Sequence, residues 1–177
     1  LKMLSEQVSH KTDVGGVMVD IRNEKELTSA FNSMKSRAEE LKITDFSFLV
    51  QRMIKGGRET ILGVSQDPSF GPLIMFGLGG VYVEVMKDVN FGVHPITDLD
   101  AREMVTTLKG FKLLKGFRGE EPVDLSIIYE SLLRLSQLVQ DFHQIKEMDI
   151  NPFIVFPEAK KSRVVDARIS IKEPDAK

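Results

Sequence analysis

The stretch FGPLIMFGLGGVYVE, residues 70–84, places a glycine-rich turn between two runs of apolar, β-prone residues. Glycines at such a point lack a Cβ, so the backbone can pass close to a phosphate group or to another loop. A tight β-turn explains the same glycines equally well. The stretch is not a Walker A loop, because no Gly-Lys-Ser/Thr follows, and its spacing is not that of a dinucleotide-binding fingerprint. Glu84, beyond the glycines, is either a ligand or an outward-facing strand residue.

Downstream, two short segments carry oxygen ligands: DINPF at residues 149–153 and VVDAR at residues 164–168. Strand alternation puts Asp149 and Asn151 on one face, and a hairpin would bring Asp166 opposite them. Such oxygens suit Mg²⁺, which proteins usually hold with one or two groups plus the phosphates of a nucleotide. A structural hairpin with polar tips is the alternative interpretation.

Two loops carry candidate phosphate contacts. In HKTDVGG, residues 10–16, His10 can accept a phosphoryl group and Lys11 can offset phosphate charge. In FRGEEP, residues 117–122, the guanidinium of Arg118 can hold a phosphate through two parallel hydrogen bonds. Ordinary solvated loops are the alternative in both cases. The lone histidines His94 and His143 are expected to be structural.

Hydrophobic periodicity predicts alternating strands and helices along the chain. The strongest helix start is Asn23 with Glu26, which form a capping-box pattern. Strands are expected at 1–4, 17–21, 46–54, 60–64, 72–76, 81–85, 89–93, 150–156 and 163–171, and helices at 23–41, 97–108 and 124–142. This order predicts an α+β protein with two lobes, divided near residues 51–58.

Composition excludes several classes of protein. The 177 residues carry a net charge of -2 without a basic stripe, which argues against a nucleic-acid partner. The absence of cysteine excludes a disulfide framework and a thiolate metal site, and is compatible with the cytoplasm. No apolar run approaches the about 20 residues of a membrane span. The sequence starts without Met inside an expected strand, so a piece of a longer protein is expected.

Together the segments HKTDVGGV, DPSFGPLIMFGLGGVYVE, FRGEEPVD and DINPF with VVDAR resemble the ATP-grasp β part of ADP-forming acyl-CoA synthetases, which are relatives of succinyl-CoA synthetase. The resemblance runs from Leu1 to about Ile171. It implies an ATP-grasp fold in which two α+β lobes grip a nucleotide. Residues 1–50 would belong to a first lobe truncated at its N-terminus, and residues 51–177 would form the second lobe.

The resemblance also implies roles for individual residues. Asn151 and Asp166 match magnesium ligands, and His10 matches a histidine proposed to be a second phosphoryl carrier. The resemblance places Lys2, Gln51 and Met53 beside the nucleotide, and Gly79 and Gly80 in the loop near the incoming phosphohistidine. From the residues themselves, Lys11 and Arg118 are the further expected contacts with the phosphates of ATP or ADP. Two positions depart from the family pattern. Ser5-Glu6 stands where relatives often have Ser-Pro, and Gly92 stands where many have an arginine.

The implied reaction converts acyl-CoA, phosphate and ADP to acid, CoA and ATP. A phosphohistidine on a CoA-binding (α) subunit or domain would deliver the phosphoryl group, so a hetero-oligomer or a fused chain is expected. This chain would perform the nucleotide half of the reaction. Two alternatives are a non-catalytic ATP-grasp-like regulatory domain of a multidomain acyltransferase, and an ATP-grasp ligase that joins a carboxylate to an amine.

Overall fold

The structure, a computed structural model, describes residues 1–8, 14–80 and 87–172. Contacts between residues divide the chain into two compact units, Leu1–Lys55 and Gly56–Lys177. The division falls inside the stretch of residues 51–58 and five residues after the expected lobe boundary. Both units combine helices with sheet, so the expected α+β class is confirmed.

The first unit is a two-stranded antiparallel sheet with one long helix. Its elements are β1 (Lys2–Leu4), α1 (Glu24–Glu40) and β2 (Ser47–Leu49), with β1 paired to β2. The predicted capping box starts α1, because the Asn23 side chain accepts a hydrogen bond from the Glu26 amide at 2.9 Å. The Arg22 amide in turn donates to the Glu26 carboxylate at 2.8 Å.

Two predicted strands of this unit are wrong or shorter than expected. The segment 17–21 forms only an isolated bridge between Val17 and Lys2. Asp20, with φ of 60°, interrupts the extended backbone there, because a left-handed residue cannot continue a strand. The strand expected at 46–54 is limited to β2, since β1 offers only three residues to pair with.

The second unit is built on an antiparallel sheet. Its strands are β3 (Arg58–Asp67), β4 (Gly71–Leu78), β5 (Val89–Val93), β6 (Ile145–Val155), β7 (Arg163–Val164) and β8 (Ala167–Ile171). The order is β5-β4-β3-β6-β7, and β8 also pairs with β6. At the turn between β3 and β4, the Asp67 carboxylate accepts the amides of Ser69 and Phe70. The strand expected at 81–85 lies outside the described residues.

Three helices follow in this unit: α2 (Asp98–Thr106), α3 (Phe111–Leu114) and α4 (Leu125–Asp141), and a 3₁₀ turn spans Ala159–Lys161. α2 packs on β4 and β5, and α4 packs on β4 and β6. Their apolar sides and one face of the sheet form a single core. The fully buried members include Ile74, Phe76, Val105, Ile128 and Leu132.

The N-terminus of α2 and the linker that precedes it are held by side-chain hydrogen bonds. Thr97 caps α2 in a capping box with Asp100, and α2 ends two residues earlier than expected. His94, predicted to be structural, contacts two residues of α4, Ser136 at 3.0 Å and Gln140 at 2.9 Å. None of the helices in the described ranges is long and apolar enough to cross a membrane.

Candidate functional site

The two predicted magnesium ligands lie opposite each other in the second unit. Asn151 is part of β6, and Asp166 lies in the two-residue link between β7 and β8. The Asn151 amide donates to the Asp166 carbonyl at 3.1 Å, and the Val165 amide donates to the Pro152 carbonyl at 3.0 Å. The hairpin predicted from the sequence therefore brings these two residues side by side. Asn151 is exposed and Asp166 is half-buried.

A bulge in β6 sets the position of Asn151. Thr60 of β3 pairs with Phe153, whereas Leu62 pairs with Ile150, so β6 contributes one extra residue at this point. Bulges of this kind redirect a side chain and often occur next to functional sites. The bulge frees the Asn151 amide from β3 and lets it pair with the β7–β8 link instead.

Negative charge accumulates beside this pair on the face of the sheet away from the core. Burial raises the pKa of the Asp149 carboxyl above its ordinary value, and the neighbouring Glu147 and Asp166 carboxylates raise it further. Arg168 acts in the opposite direction. Within the three described ranges no group of three or more acidic, histidine or cysteine side chains has the geometry to hold a metal. Mg²⁺ in proteins is usually held by one or two protein oxygens together with phosphates.

Gly79 and Gly80 follow β4 and approach the start of β3. The Gly79 amide donates to the Glu59 carbonyl at 2.7 Å. A Cβ on Gly79 would lie 2.9 Å from the Glu59 carbonyl carbon, so only glycine allows this approach. Gly80 is exposed with φ of 65°, and the Glu59 carboxylate lies near the position that its Cβ would take.

The segment around Arg118, residues 116–120, is also attached to the start of β3. Arg118 is exposed, has φ of 55°, and its guanidinium stacks 5.3 Å from the centre of the Phe117 ring. Two residues later, Glu120 forms an ion pair with Arg58, the first residue of β3. The glycine segment (Gly79–Gly80) therefore contacts Glu59 of β3. The arginine segment (Gly116–Glu120) contacts the neighbouring residue, Arg58. Sequence reasoning missed both of these residues, since neither belongs to a recognisable motif.

The predicted site residues of the first unit lie on or near its small sheet. Lys2 is half-buried in β1, opposite Leu49. Gln51 and Met53 are exposed and follow β2 outside any regular element. Their nucleotide contacts stay predictions. His10 and Lys11 lie outside the described residues.

Gly92, where the resemblance expects an arginine, is tightly packed. A Cβ at this position would lie 2.8 Å from Cγ2 of Ile96 and 2.8 Å from Sδ of Met104. The departure from the family pattern therefore matches the local packing of β5 against α2.

Comparison with known proteins gives the family. Residues 1–171 match the family described as ATP-grasp domain. The β subunit of acetate–CoA ligase (ADP-forming) II of Pyrococcus furiosus is 45% identical over 175 residues, which cover 97% of this chain and 74% of the subunit. The ADP-forming 4-hydroxybutyrate–CoA ligase of Nitrosopumilus maritimus is 44% identical over 173 residues, 97% of this chain but 25% of that ligase. The chain thus spans about three quarters of the former and one quarter of the latter.

Solved structures agree with this assignment. A dinucleotide-forming acetyl-CoA synthetase of Candidatus Korarchaeum cryptofilum, in complex with coenzyme A and Ca-AMPCP, superposes with a TM-score of 0.88 at 41% identity. The match covers 97% of this chain and 75% of that one. A second structure of the same synthetase holds Mg-AMPPCP, with its phosphohistidine segment pointing towards the nucleotide site, and gives a TM-score of 0.82. The chain has the ATP-grasp fold, belongs to the ATP-grasp domain family and is homologous to the ATP-grasp part of ADP-forming acyl-CoA ligases.

Proposed function

We propose that this chain binds a magnesium complex of ADP or ATP and transfers a phosphoryl group between that nucleotide and a phosphohistidine. In the direction of ATP synthesis, the N–P bond of the phosphohistidine breaks and a terminal oxygen of ADP forms the new O–P bond. The full reaction would convert acyl-CoA, phosphate and ADP to acid, CoA and ATP. The histidine would belong to a CoA-binding subunit or domain, and the assembly would be cytoplasmic.

The observation that carries the proposal is the meeting of three candidate segments around the first residues of β3. The glycine pair contacts Glu59, and the arginine segment is tied to Arg58. The bulge with Asn151 lies next to Thr60 in the β3–β6 ladder. Homology supports the same assignment, because ligases of this kind and a solved relative with Mg-AMPPCP share the fold and over 40% of the sequence.

The donor set fits magnesium. An amide oxygen from Asn151 and a carboxylate from Asp166 are hard oxygen ligands, which Mg²⁺ prefers. When bound, the ion would neutralise charge on the phosphates during transfer. The chain's own groups would position the reactants. Arg118 would contribute a fixed positive charge, and the exposed Gly80, which has no Cβ, would let the phosphate approach the backbone.

Five further residues, all within the first 55 positions, have proposed roles. Lys2, Gln51 and Met53 would contact the nucleotide, Lys11 would offset phosphate charge, and His10 would act as a second phosphoryl carrier. We expect a hetero-oligomer with the CoA-binding subunit, or a fused chain, and the two arrangements seen among relatives support this. Those relatives are separate β subunits and much longer single chains.

Calorimetric titration with ADP in excess Mg²⁺ or in EDTA tests the nucleotide half of the proposal. We expect binding that tightens with Mg²⁺, and Asp166→Asn should remove most of that metal-dependent gain, about tenfold or more in affinity. Asp98→Asn is the matched control, because it also neutralises an aspartate of the second unit, one that is paired with Arg102 on α2. Wild-type protein that gives no heat with millimolar nucleotide would instead favour the non-catalytic regulatory alternative.

Transfer itself is tested with a CoA-binding partner phosphorylated on its histidine. Addition of ADP and this chain should yield ATP, and His10→Ala should slow the yield. A carboxylate–amine ligase would need no phosphohistidine, so ATP formation from the phosphorylated partner separates the two ligase classes. If His10→Ala retains full activity, His10 is not part of the transfer, although the nucleotide site is unaffected.

A further inference from the structure

The short helix α3 is held at its first turn by a buried carboxylate from the sheet. Asp88, just before β5, is only 4% exposed. Its two carboxylate oxygens accept the backbone amides of Lys109 at 2.9 Å and Gly110 at 2.7 Å. Hydrogen bonds to an ionised group are about twice as strong as neutral ones, and a buried amide without a partner is costly. Asp88 therefore fixes the start of α3 against the sheet.

The other end of α3 is held by a cation. Nε of Arg58 donates to the Leu113 carbonyl at 3.2 Å. The same guanidinium forms the ion pair with Glu120, in the segment that carries Arg118. Because the Arg58 side chain is only 27% exposed, this pair is better shielded from solvent than the other ion pairs in the described ranges. Arg58 thus joins the end of α3 to the arginine segment.

The same two anchors lie next to the glycine segment. The Leu78 amide donates to the Asp88 carbonyl at 3.4 Å, and the next residue, Gly79, donates to Glu59. The start of α3 packs tightly on the end of β4, because a Cβ on Gly110 would lie 2.3 Å from Cδ1 of Leu78. A shift of α3 would therefore move Leu78 and with it the backbone that enters the glycine pair.

We propose that α3 couples the glycine segment (Gly79–Gly80) to the arginine segment (Gly116–Glu120), with Asp88 and Arg58 as the positioning residues that set their separation. This inference rests on the proposed function insofar as both segments contact the phosphates. Neither positioning residue needs to touch the nucleotide. Arg58 contacts the arginine segment directly through Glu120, whereas the effect of Asp88 on that segment would pass through α3.

Amide hydrogen exchange tests the coupling without any nucleotide. Asp88→Asn keeps the shape of the side chain but presents an amide group to one of the two backbone donors. Loss of this anchor should speed exchange about tenfold not only at Gly110 but also at residues 116–120. Arg58→Gln should likewise speed exchange at Gly110, at the opposite end of α3, and at Leu78, which packs on Gly110 and leads into the glycine segment. Asp98→Asn, on the surface of α2, is the control and should change neither segment.

The variant that carries both substitutions tests whether the two positioning residues act through the same helix. In the variant that carries both substitutions, exchange at residues 116–120 should be little faster than in Arg58→Gln alone, because α3 is already released. Exchange changes confined to the residues beside each substitution, or effects that simply add, would overturn the coupling. The exchange experiment tests the coupling whether or not the chain binds a nucleotide.

Binding measurements test the positioning role. Asp88→Asn and Arg58→Gln should each lower the affinity for ADP about tenfold more than the affinity for AMP, because the segments are proposed to contact the outer phosphates. Arg58→Lys should lower the affinity for ADP less than Arg58→Gln does. Equal weakening of ADP and AMP would overturn the positioning role. Failure of the wild-type protein to bind ADP would count against the proposed function, while the exchange experiment would still decide the coupling.

Discussion

At the scale of single residues, a buried hydroxyl group lies at the edge of the bulge beside Asn151. Thr60 is completely buried, and its Oγ1 donates to the Phe153 carbonyl at 2.8 Å. This bond lies at the last regular pair before the bulge, where β6 gains its extra residue. Thr60 therefore links the register of β3 and β6 to the position of the candidate metal ligand.

Thr60→Val should lower the free energy of unfolding by about 1–3 kcal/mol, because the substitution keeps the volume but leaves a buried carbonyl short of a partner. Urea denaturation followed by circular dichroism measures the loss. Thr106→Val is the matched control, since Thr106 is exposed and its hydroxyl bonds only within α2. The control should change stability by no more than about 0.5 kcal/mol. Equal losses in the two variants would show that burial at Thr60 is unimportant.

At the scale of secondary structure, the start of α2 carries a charge-dependent stabilising contact. The Asp100 carboxylate accepts the Thr97 hydroxyl and the Thr97 amide, both at 2.7 Å. These bonds, the hydroxyl first and the amide second, lower the pKa of Asp100 below its ordinary value. A carboxyl with a lowered pKa stabilises the fold above the unfolded value, and its contribution disappears as pH falls through the folded value.

The difference in melting temperature between wild type and Asp100→Asn should therefore be largest near neutral pH and shrink below about pH 4. Glu103→Gln removes the same charge from the same helix outside the capping box, and serves as the control. Melting curves from pH 7 to pH 3 measure both differences. A difference for Asp100→Asn that stays constant over this range would mean that the ionised carboxylate does not hold the cap.

The elements that the sequence predicts correctly are those with local signals. The capping box of α1 and the apolar stripe of α4 depend on residues three or four apart, which a sequence displays directly. β6 is different, because it begins at Ile145, five residues before the predicted start. Its extra residues include the charged Lys146 and Glu147, and they become strand through pairing with β8 rather than through their own pattern.

The same distinction applies to the candidate site. The opposition of Asn151 and Asp166 follows from a short hairpin and is predictable from spacing alone. Arg58 and Glu120 are 62 residues apart, and Asp88 is about 20 residues from the amides that it accepts. No local sequence pattern predicts such contacts, because they form only when the folded sheet places Asp88 and Arg58 beside the two ends of α3.

At the scale of the whole chain, the two units differ sharply in the apolar core that holds them. Buried residues of the second unit form one continuous cluster that includes β3, β4, β6 and all three helices. The described residues of the first unit contribute only two small buried clusters, centred on Met34 and on Met3 with Ala38. Since burial of apolar surface dominates stability, we expect the first unit to open at lower free energy.

Hydrogen exchange can compare the units through α1 and α4, which are both 17 residues long. Amides of α1 should exchange faster than those of α4 under native conditions. Met34→Ala should speed exchange in α1 further, and Leu132→Ala should do so in α4, because each truncates a fully buried side chain at about 2–5 kcal/mol. Each substitution should leave the helix of the other unit largely unchanged. Equal protection of both helices, lost together in either variant, would instead show that the chain unfolds as one cooperative body and that the division by contacts has no energetic meaning.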